Sequence, residues 1–273
     1  MPELPEVETI IRNLQADLEG RTIRAAEVLW DGTLATPSPA AFIKKIVGQS
    51  ISTVKRRAKY IVIPLSVDTL IIHLRMSGDL LIRGGRAPHH KHDRLIIHFD
   101  NARYLAFSNM RKFGRVWLTP TPNDVLGKLG PEPLEDAFTA ALLHKKLQQH
   151  KRQIKPLLLD QRFIAGMGNI YTDEALYLAG LHPLTKSDLI KRKQAEGLWR
   201  SIRQVLREGI RRNGTSIDWI YRGGDFQHDL NVYGRADEPC LHCGTPIMRI
   251  TVGQRGTHFC PQCQKRKEPA DGI

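Results

Sequence analysis

Four cysteines fall between Cys240 and Cys263, and the 239 residues before them contain none. They stand as Cys240-x2-Cys243, sixteen residues, then Cys260-x2-Cys263. Each C-x2-C turn can deliver two thiolates to one side of an ion, and two such turns match the spacing of a four-cysteine zinc site. Four protein ligands close the coordination sphere, so the implied cofactor is one structural Zn²⁺ per chain. Two disulfides or four reduced thiols are the alternatives. His242 and His258 stand beside the candidate ligands, but the full cysteine set leaves them no place. Between the cysteine pairs runs Val252-Gly253-Gln254-Arg255-Gly256-Thr257-His258. Glycines around Arg255 predict a β-hairpin tip that presents a guanidinium. A solvated turn arginine is the plainer reading of the same residues.

A second group is Gly166-Met167-Gly168-Asn169-Ile170, set between an apolar Leu157-Leu158-Leu159 helix and a helix over 171–179. Glycines let backbone N–H groups approach an anion, and the following helix N-terminus favours phosphate. The plainer reading is an interhelical turn. A P-loop is excluded, because no Gly-Lys-[Ser/Thr] follows. A third group mixes cations with apolar side chains: Arg56-Arg57-Ala58-Lys59-Tyr60, Arg75-Met76-Ser77-Gly78, and Asn109-Met110-Arg111-Lys112-Phe113-Gly114-Arg115. Cations can track phosphates, while Met76, Arg111 and Phe113 can wedge into or replace stacked bases. Singly, each run is more often surface charge or core. Their recurrence at strand ends points to a DNA face.

These groups need elements to position them. Val7, Ile10, Ile11, Leu14 and Leu18 share one face of a helix over 1–20, with Pro2 and Pro5 at its start and Gly20 as its stop. Residues 21–118 read as β-rich. Short apolar runs at 60–63, 70–74, 95–99 and 116–118, punctuated by Gly, Asp, Asn and Pro, suggest a sandwich or barrel. Prolines and glycine between 119 and 133 read as a linker. Residues 135–212 have helical patterning, 213–235 are loop-like, and the tail carries the cysteines. The fold class expected is α+β. The expected domains are 1–130, a sandwich with its N-terminal helix; 131–235, a helical domain; and 236–270, a zinc finger.

Lysine and arginine total 41 against 28 acidic residues, a formal charge of +13. That is the footprint of a nucleic-acid binder, although an anionic membrane or an acidic protein would also match it. Hydrophobic residues make up 41%, which excludes a disordered chain. No stretch approaches the ~18 apolar residues of a bilayer span. The N-terminus lacks the basic and apolar regions of a signal peptide, so a cytoplasmic protein is expected.

Assembled, these residues resemble the formamidopyrimidine-DNA glycosylase family, also called 8-oxoguanine DNA glycosylase. The resemblance rests on Pro2-Glu3-Leu4-Pro5-Glu6-Val7-Glu8, Lys59 in its basic run, His92 in Lys91-His92-Asp93, and Arg111-Lys112-Phe113-Gly114. It rests further on Leu159-Asp160-Gln161, Gly168-Asn169-Ile170-Tyr171, and the terminal cysteines with Arg255. It covers essentially the whole chain in order. It implies a β-sandwich, a helix–two-turn–helix region and a zinc hairpin, with damaged double-stranded DNA in a cleft between two lobes of a monomer. It also implies a nucleoid-associated enzyme of base excision repair, if the source is prokaryotic. Carried over, Pro2 is the Schiff-base nucleophile, Glu3 the acid near the sugar, and Lys59 a catalytic or phosphate-binding cation. Arg255 binds phosphate and serves the second elimination. Met76, Arg111 and Phe113 fill the gap left by a flipped base, and His92, Lys151, Arg152 and Asn169 contact DNA. Three departures stand out: Ala58 where glycine is common, Asn109 where aspartate is expected, and a shortened lesion-capping segment over 216–228.

The chemistry implied for Pro2 is physically coherent. An α-amine has a reference pKa of about 8, against about 10.4 for lysine, so it is substantially neutral and nucleophilic near pH 7. A secondary amine attacking C1′ yields a cationic iminium, an electron sink that acidifies the C2′ proton and permits elimination. Without the resemblance, Pro2 reads as a helix-start proline. A glycosylase of the same fold for oxidised pyrimidines, endonuclease VIII-like, is the nearest alternative. Leu4 after Glu3, where that branch has glycine, weighs against it. A non-enzymatic zinc-ribbon DNA-binding protein is the alternative from another class.

Overall fold

The structure, a computed structural model, describes residues 1–84, 88–216 and 223–266. The chain divides into two compact units, Met1–Lys128 with Asn213–Gly224, and Leu129–Arg212 with Asp225–Ile273.

The first unit opens with helix α1, Leu4–Leu18. Leu4, Pro5, Val7, Ile10, Ile11, Leu14 and Leu18 are buried, the face expected from their spacing. Pro5 lies in the first turn, where its missing N–H costs nothing. The Glu6 carboxylate accepts the Glu3 backbone N–H at 2.8 Å, satisfying a donor that the helix start leaves open. Gly20 ends the segment at φ +78°. Strands β1 (Ile23–Val28) and β2 (Leu34–Thr36), helix α2 (Pro39–Ile46) and strand β3 (Lys55–Arg57) follow. Then come β4 (Tyr60–Pro64), β5 (Thr69–His73), β6 (Gly78–Gly84), β7 (Asp93–Phe99), β8 (Arg103–Asn109) and β9 (Arg115–Thr119).

These strands form two sheets. One has the order β1-β7-β8-β6 and is antiparallel throughout. The other has the order β2-β9-β5-β4-β3, with β2 and β9 parallel. Alternate residues of both sheets, among them Ile61, Ile63, Leu70, Ile72, Leu95, Ile97, Leu105 and Phe107, join the buried face of α1 in one core. Each such side chain contributes roughly 1.5–3 kcal/mol by leaving water. The sandwich and its opening helix thus agree with the expected fold. Helix α2 departs from the β-rich reading of 21–118. Pro39 begins it, and Phe42 and Ile46, one turn apart, are its buried residues.

In the expected linker, Asn123–Leu126 makes one helical turn, α3. The second unit holds α4 (Ala140–Gln148), α5 (Ile154–Leu159), α6 (Asn169–Leu178) and α7 (Arg192–Arg211). Gln161 shapes the two turns between α5 and α6. Its amide accepts from Gly166 N at 2.9 Å and donates to Met167 O at 2.8 Å. Among the described residues, the last strands of this unit are the hairpin of β10 (Met248–Val252) and β11 (Arg255–Phe259). Its tip is Gly253-Gln254, at φ +55° and +62°, the conformation of a two-residue type I′ turn. Arg255 is therefore the first residue of β11, paired with Val252, and stands beside the tip rather than at it. No helix among the described residues is long and apolar enough to cross a membrane.

Candidate functional site

In the first unit, Pro2 and Glu3 are buried and immediately precede α1, with Glu3 as its N-cap. The positive end of the helix dipole points at this pair. Glu6 Oε1 accepts the backbone N–H of Thr215 at 2.8 Å, which fastens the α1 start to the base of the 216–228 segment. Gly214 makes this approach possible, since a Cβ there would lie 2.7 Å from Glu6 Oε1. The Ser216 hydroxyl closes the segment by donating to Gly224 O and accepting from Gly224 N. Of the segment 216–228 that carries the lesion-capping expectation, residues 217–222 lie outside the described residues.

Lys59 is 5% exposed, in the two-residue turn joining β3 to β4. Ala58 begins that turn at φ +54°, a left-handed conformation that favours glycine. His73 faces the same region. Burial, reinforced by Arg75 and Lys59, pushes its pKa from 6.5 down to about 3, so the ring is neutral. Its Nδ1 accepts the Arg75 N–H at 3.0 Å, and its ring meets Tyr60 edge-on at 4.6 Å. Arg56, grouped with the phosphate-tracking cations by sequence, is instead paired with Glu8 at 3.0 Å.

Met76 and Phe113 are exposed at 41% and 53%, on the turns after β5 and after β8. Arg111 is exposed too, and its guanidinium lies 3.7 Å from Met76 Sδ. Fully buried Asn109 joins the two turns. Its Oδ1 accepts from the Ser77 hydroxyl and from Phe113 N, both at 3.3 Å, while its amide donates to Leu74 O at 3.4 Å. An amide can donate and accept at once, which an ionised aspartate cannot. His92 is partly exposed, with its ring 5.1 Å from that of His90.

In the second unit, Asn169 is the first residue of α6 and Arg255 is exposed on β11. Gly256 O brings the two elements together. It accepts from Asn169 Nδ2 and from Lys155 Nζ, each at 3.0 Å. Lys155 also pairs with Asp173, and Asp173 accepts the His258 N–H at 2.9 Å. Asn169 Oδ1 has no hydrogen-bond partner among the described residues. Lys151 and Arg152 are exposed, and Arg152 pairs with Asp160 at 2.8 Å. Sequence reading missed Lys155, Asp173 and Glu174. The Glu174 carboxylate accepts four N–H bonds, from the backbone of Asn231, Val232 and Tyr233 and the Asn231 side chain, and fixes the segment leading into the cysteine tail.

The four cysteine sulfurs cluster. Cys243 Sγ lies 3.5 Å from both Cys260 Sγ and Cys263 Sγ, and Cys240 lies 3.9 Å from Cys263. Tetrahedral ligands about 2.3 Å from zinc stand about 3.8 Å apart, so the cluster fits one closed structural zinc site. These separations are far beyond the ~2.05 Å of a disulfide. The Tyr177 hydroxyl lies 3.3 Å from Cys240 Sγ, placed to donate to a thiolate.

A two-sheet sandwich opened by a helix, a helix–two-turn–helix and a four-thiolate hairpin define an architectural class, the one the resemblance implied for a DNA glycosylase. Family models agree along the chain: the formamidopyrimidine-DNA glycosylase N-terminal domain matches residues 1–116, its H2TH domain 129–220, and the zinc finger found in FPG and IleRS 237–266. The formamidopyrimidine-DNA glycosylase of Desulforamulus reducens is 42% identical, over 98% of this chain and all of its own. That of Chloroflexus aurantiacus is 45% identical, over 97% of this chain and 98% of its own. A solved structure of MutM with DNA containing carbocyclic 8-oxo-G superposes with a TM-score of 0.91 at 38% identity, covering 97% of this chain and all of that one. Lactococcus lactis Fpg with N7-benzyl-Fapy-dG DNA gives 0.91 at 37%, with the same coverage. The chain belongs to the formamidopyrimidine-DNA glycosylase family.

Proposed function

We propose that the chain is a bifunctional DNA glycosylase and AP lyase that excises oxidised purines, 8-oxoguanine and formamidopyrimidines, from double-stranded DNA. The observation that carries this reading is the start of α1, where Pro2 and Glu3 are buried side by side at the positive end of the helix. Family membership supports it, as do structural relatives whose DNA carries 8-oxo-G or Fapy-dG. Removal of Met1 frees the secondary amine of Pro2. The amine attacks C1′, the C1′–base bond breaks, and the base leaves with a proton supplied at the site by Glu3. The C1′–O4′ bond of the resulting aminal breaks, with O4′ taking up a proton, to give an iminium. Loss of the C2′ proton to solvent feeds electrons toward that cation, and the 3′ phosphate leaves. A second elimination releases the 5′ phosphate.

Lys59 and Arg255 are assigned to phosphate charge during these steps. Met76, Arg111 and Phe113 are assigned to the space of the extruded base, and His92, Lys151, Arg152 and Asn169 to the DNA backbone. The zinc closes its hairpin and supplies no reacting atom. On this reading the protein acts as a monomer in the cytoplasm, at the nucleoid if the source is prokaryotic.

The test is borohydride trapping on 8-oxoguanine DNA, with the adduct mapped by mass spectrometry. Attachment at the N-terminal proline is expected. Blocking its amine or retaining Met1 should abolish excision and strand cleavage while fold and zinc persist. An adduct on Lys59, or on any lysine, overturns the mechanism.

A further inference from the structure

Outside the residues assigned above, the first unit holds a second cluster of metal-ligating side chains. Glu27 lies on β1 opposite Ile96 of β7, and His98 is two residues beyond Ile96 on the same face. This face is turned away from the sandwich core. Its buried residues, Ile96, Tyr104 and Ala106, form a small cluster of their own. Glu27 Oε1 is 2.6 Å from His98 Nε2 and 3.9 Å from His89 Nε2. One ligand atom from each of the three residues lies within 4.8 Å of the other two.

We propose that Glu27, His89 and His98 form a binding site for one exchangeable divalent transition-metal ion, separate from the four-cysteine site. Two imidazole nitrogens and a carboxylate oxygen suit zinc, nickel, cobalt or copper rather than calcium or magnesium. Ligands about 2.1 Å from one ion stand roughly 3.0–3.4 Å apart, and the two separations at Glu27 Oε1 bracket that range.

The site is held before any ion arrives. The ring of Tyr104, 1% exposed, lies 5.9 Å from His89 and 5.5 Å from His98, so one buried aromatic backs both imidazoles. The turn that follows His89 is fixed by Asp93, whose carboxylate accepts from His90 N at 2.7 Å and from Arg83 at 2.6 Å. All three ligands reach solvent, and three protein ligands leave coordination positions for water. The ion should therefore exchange, unlike one closed in by four thiolates. Its binding ties the segment carrying His92 to the sheet.

The test uses the tag-free, zinc-replete full chain and nickel as the probe. Calorimetric titration at neutral pH, followed by desalting and metal analysis, should show one nickel in addition to one zinc per chain. His89→Ala and His98→Ala should each lose the nickel equivalent and keep the zinc, and Glu27→Gln should weaken nickel binding. The proposal is overturned if the zinc-replete protein takes up no nickel, if nickel merely replaces the zinc, or if the extra equivalent survives both histidine substitutions.

Discussion

Lys155 and Asp173 form an ion pair, 2.6 Å from Nζ to Oδ1, with both side chains fully buried. The pair links α5 to α6. Through Gly256 O and His258 N, the same two residues hold the zinc hairpin. Removing one partner leaves a buried charge unpaired, so Lys155→Ala should cost ~3–5 kcal/mol of stability, read by urea unfolding of the zinc-loaded chain. Lys155→Met with Asp173→Leu should recover only part, because the His258 N–H then loses its acceptor. Full recovery would show that the hairpin does not depend on this pair.

The Tyr177 hydroxyl lies 3.3 Å from the Cys240 sulfur, where it can donate to a zinc-bound thiolate. Its loss in Tyr177→Phe should cost ~1 kcal/mol, equivalent to roughly fivefold faster zinc release to a chelator. Cys260→Ser should lose the zinc and DNA binding together. Unchanged zinc release from Tyr177→Phe would mean that the hydroxyl does not stabilise the thiolate.

Ala58 pays for its left-handed conformation with a clash that glycine lacks. Ala58→Gly relieves ~1–2 kcal/mol of that strain, against ~0.5–1 kcal/mol of added chain entropy in the unfolded state. A net gain of up to about 1.5 kcal/mol is expected as a raised urea midpoint. A lowered midpoint would show that the packing of the buried methyl outweighs the strain.

The contrast between these sites explains what could be read in the residues. The cysteine spacing is local, and so is its consequence, because each C-x2-C turn places its own two ligands. Helix α1 was legible for the same reason: one periodic face, prolines at the start, a glycine at the stop. Helix α2 was not, because its eight residues bury only Phe42 and Ile46 and sit among strands. Lys155 and Asp173 carry no local signal. A buried lysine and an exposed one look alike until the hairpin, 101 residues away at Gly256, closes over it. Arg56 shows the converse, a cation in a basic run whose charge is taken by Glu8 from a distant helix.

Exposed Phe113 and Met76 sit on turns that buried Asn109 ties together. If Phe113 fills the space of an extruded base, Phe113→Ala should slow excision of 8-oxoguanine from duplex DNA. A loss of ~1.4 kcal/mol in stabilising the flipped state corresponds to about tenfold. Cleavage of a ready-made abasic site should fall much less. Equal losses on both substrates would remove the wedge role.

His73 gives the folded chain a specific dependence on pH. Its ordinary pKa of 6.5 falls to about 3 in the folded state, chiefly through burial and further through Arg75 and Lys59. Between those values the unfolded chain binds a proton at this ring and the folded chain does not. The contribution is therefore fully present above pH 6.5 and is lost as pH falls toward 3, with an upper bound of about 5 kcal/mol. Asp79 acts in the opposite sense. Burial raises its carboxyl to about 6, so the folded chain holds that proton longer than the unfolded one. The two overlap, and only a variant separates them. His73→Asn keeps an acceptor for the Arg75 N–H and removes the titrating ring. Urea unfolding of both proteins at about pH 7 and about pH 4.5 should show the original chain losing more stability than the variant, by a few kcal/mol. Equal losses would mean that His73 takes up its proton without cost in the folded chain.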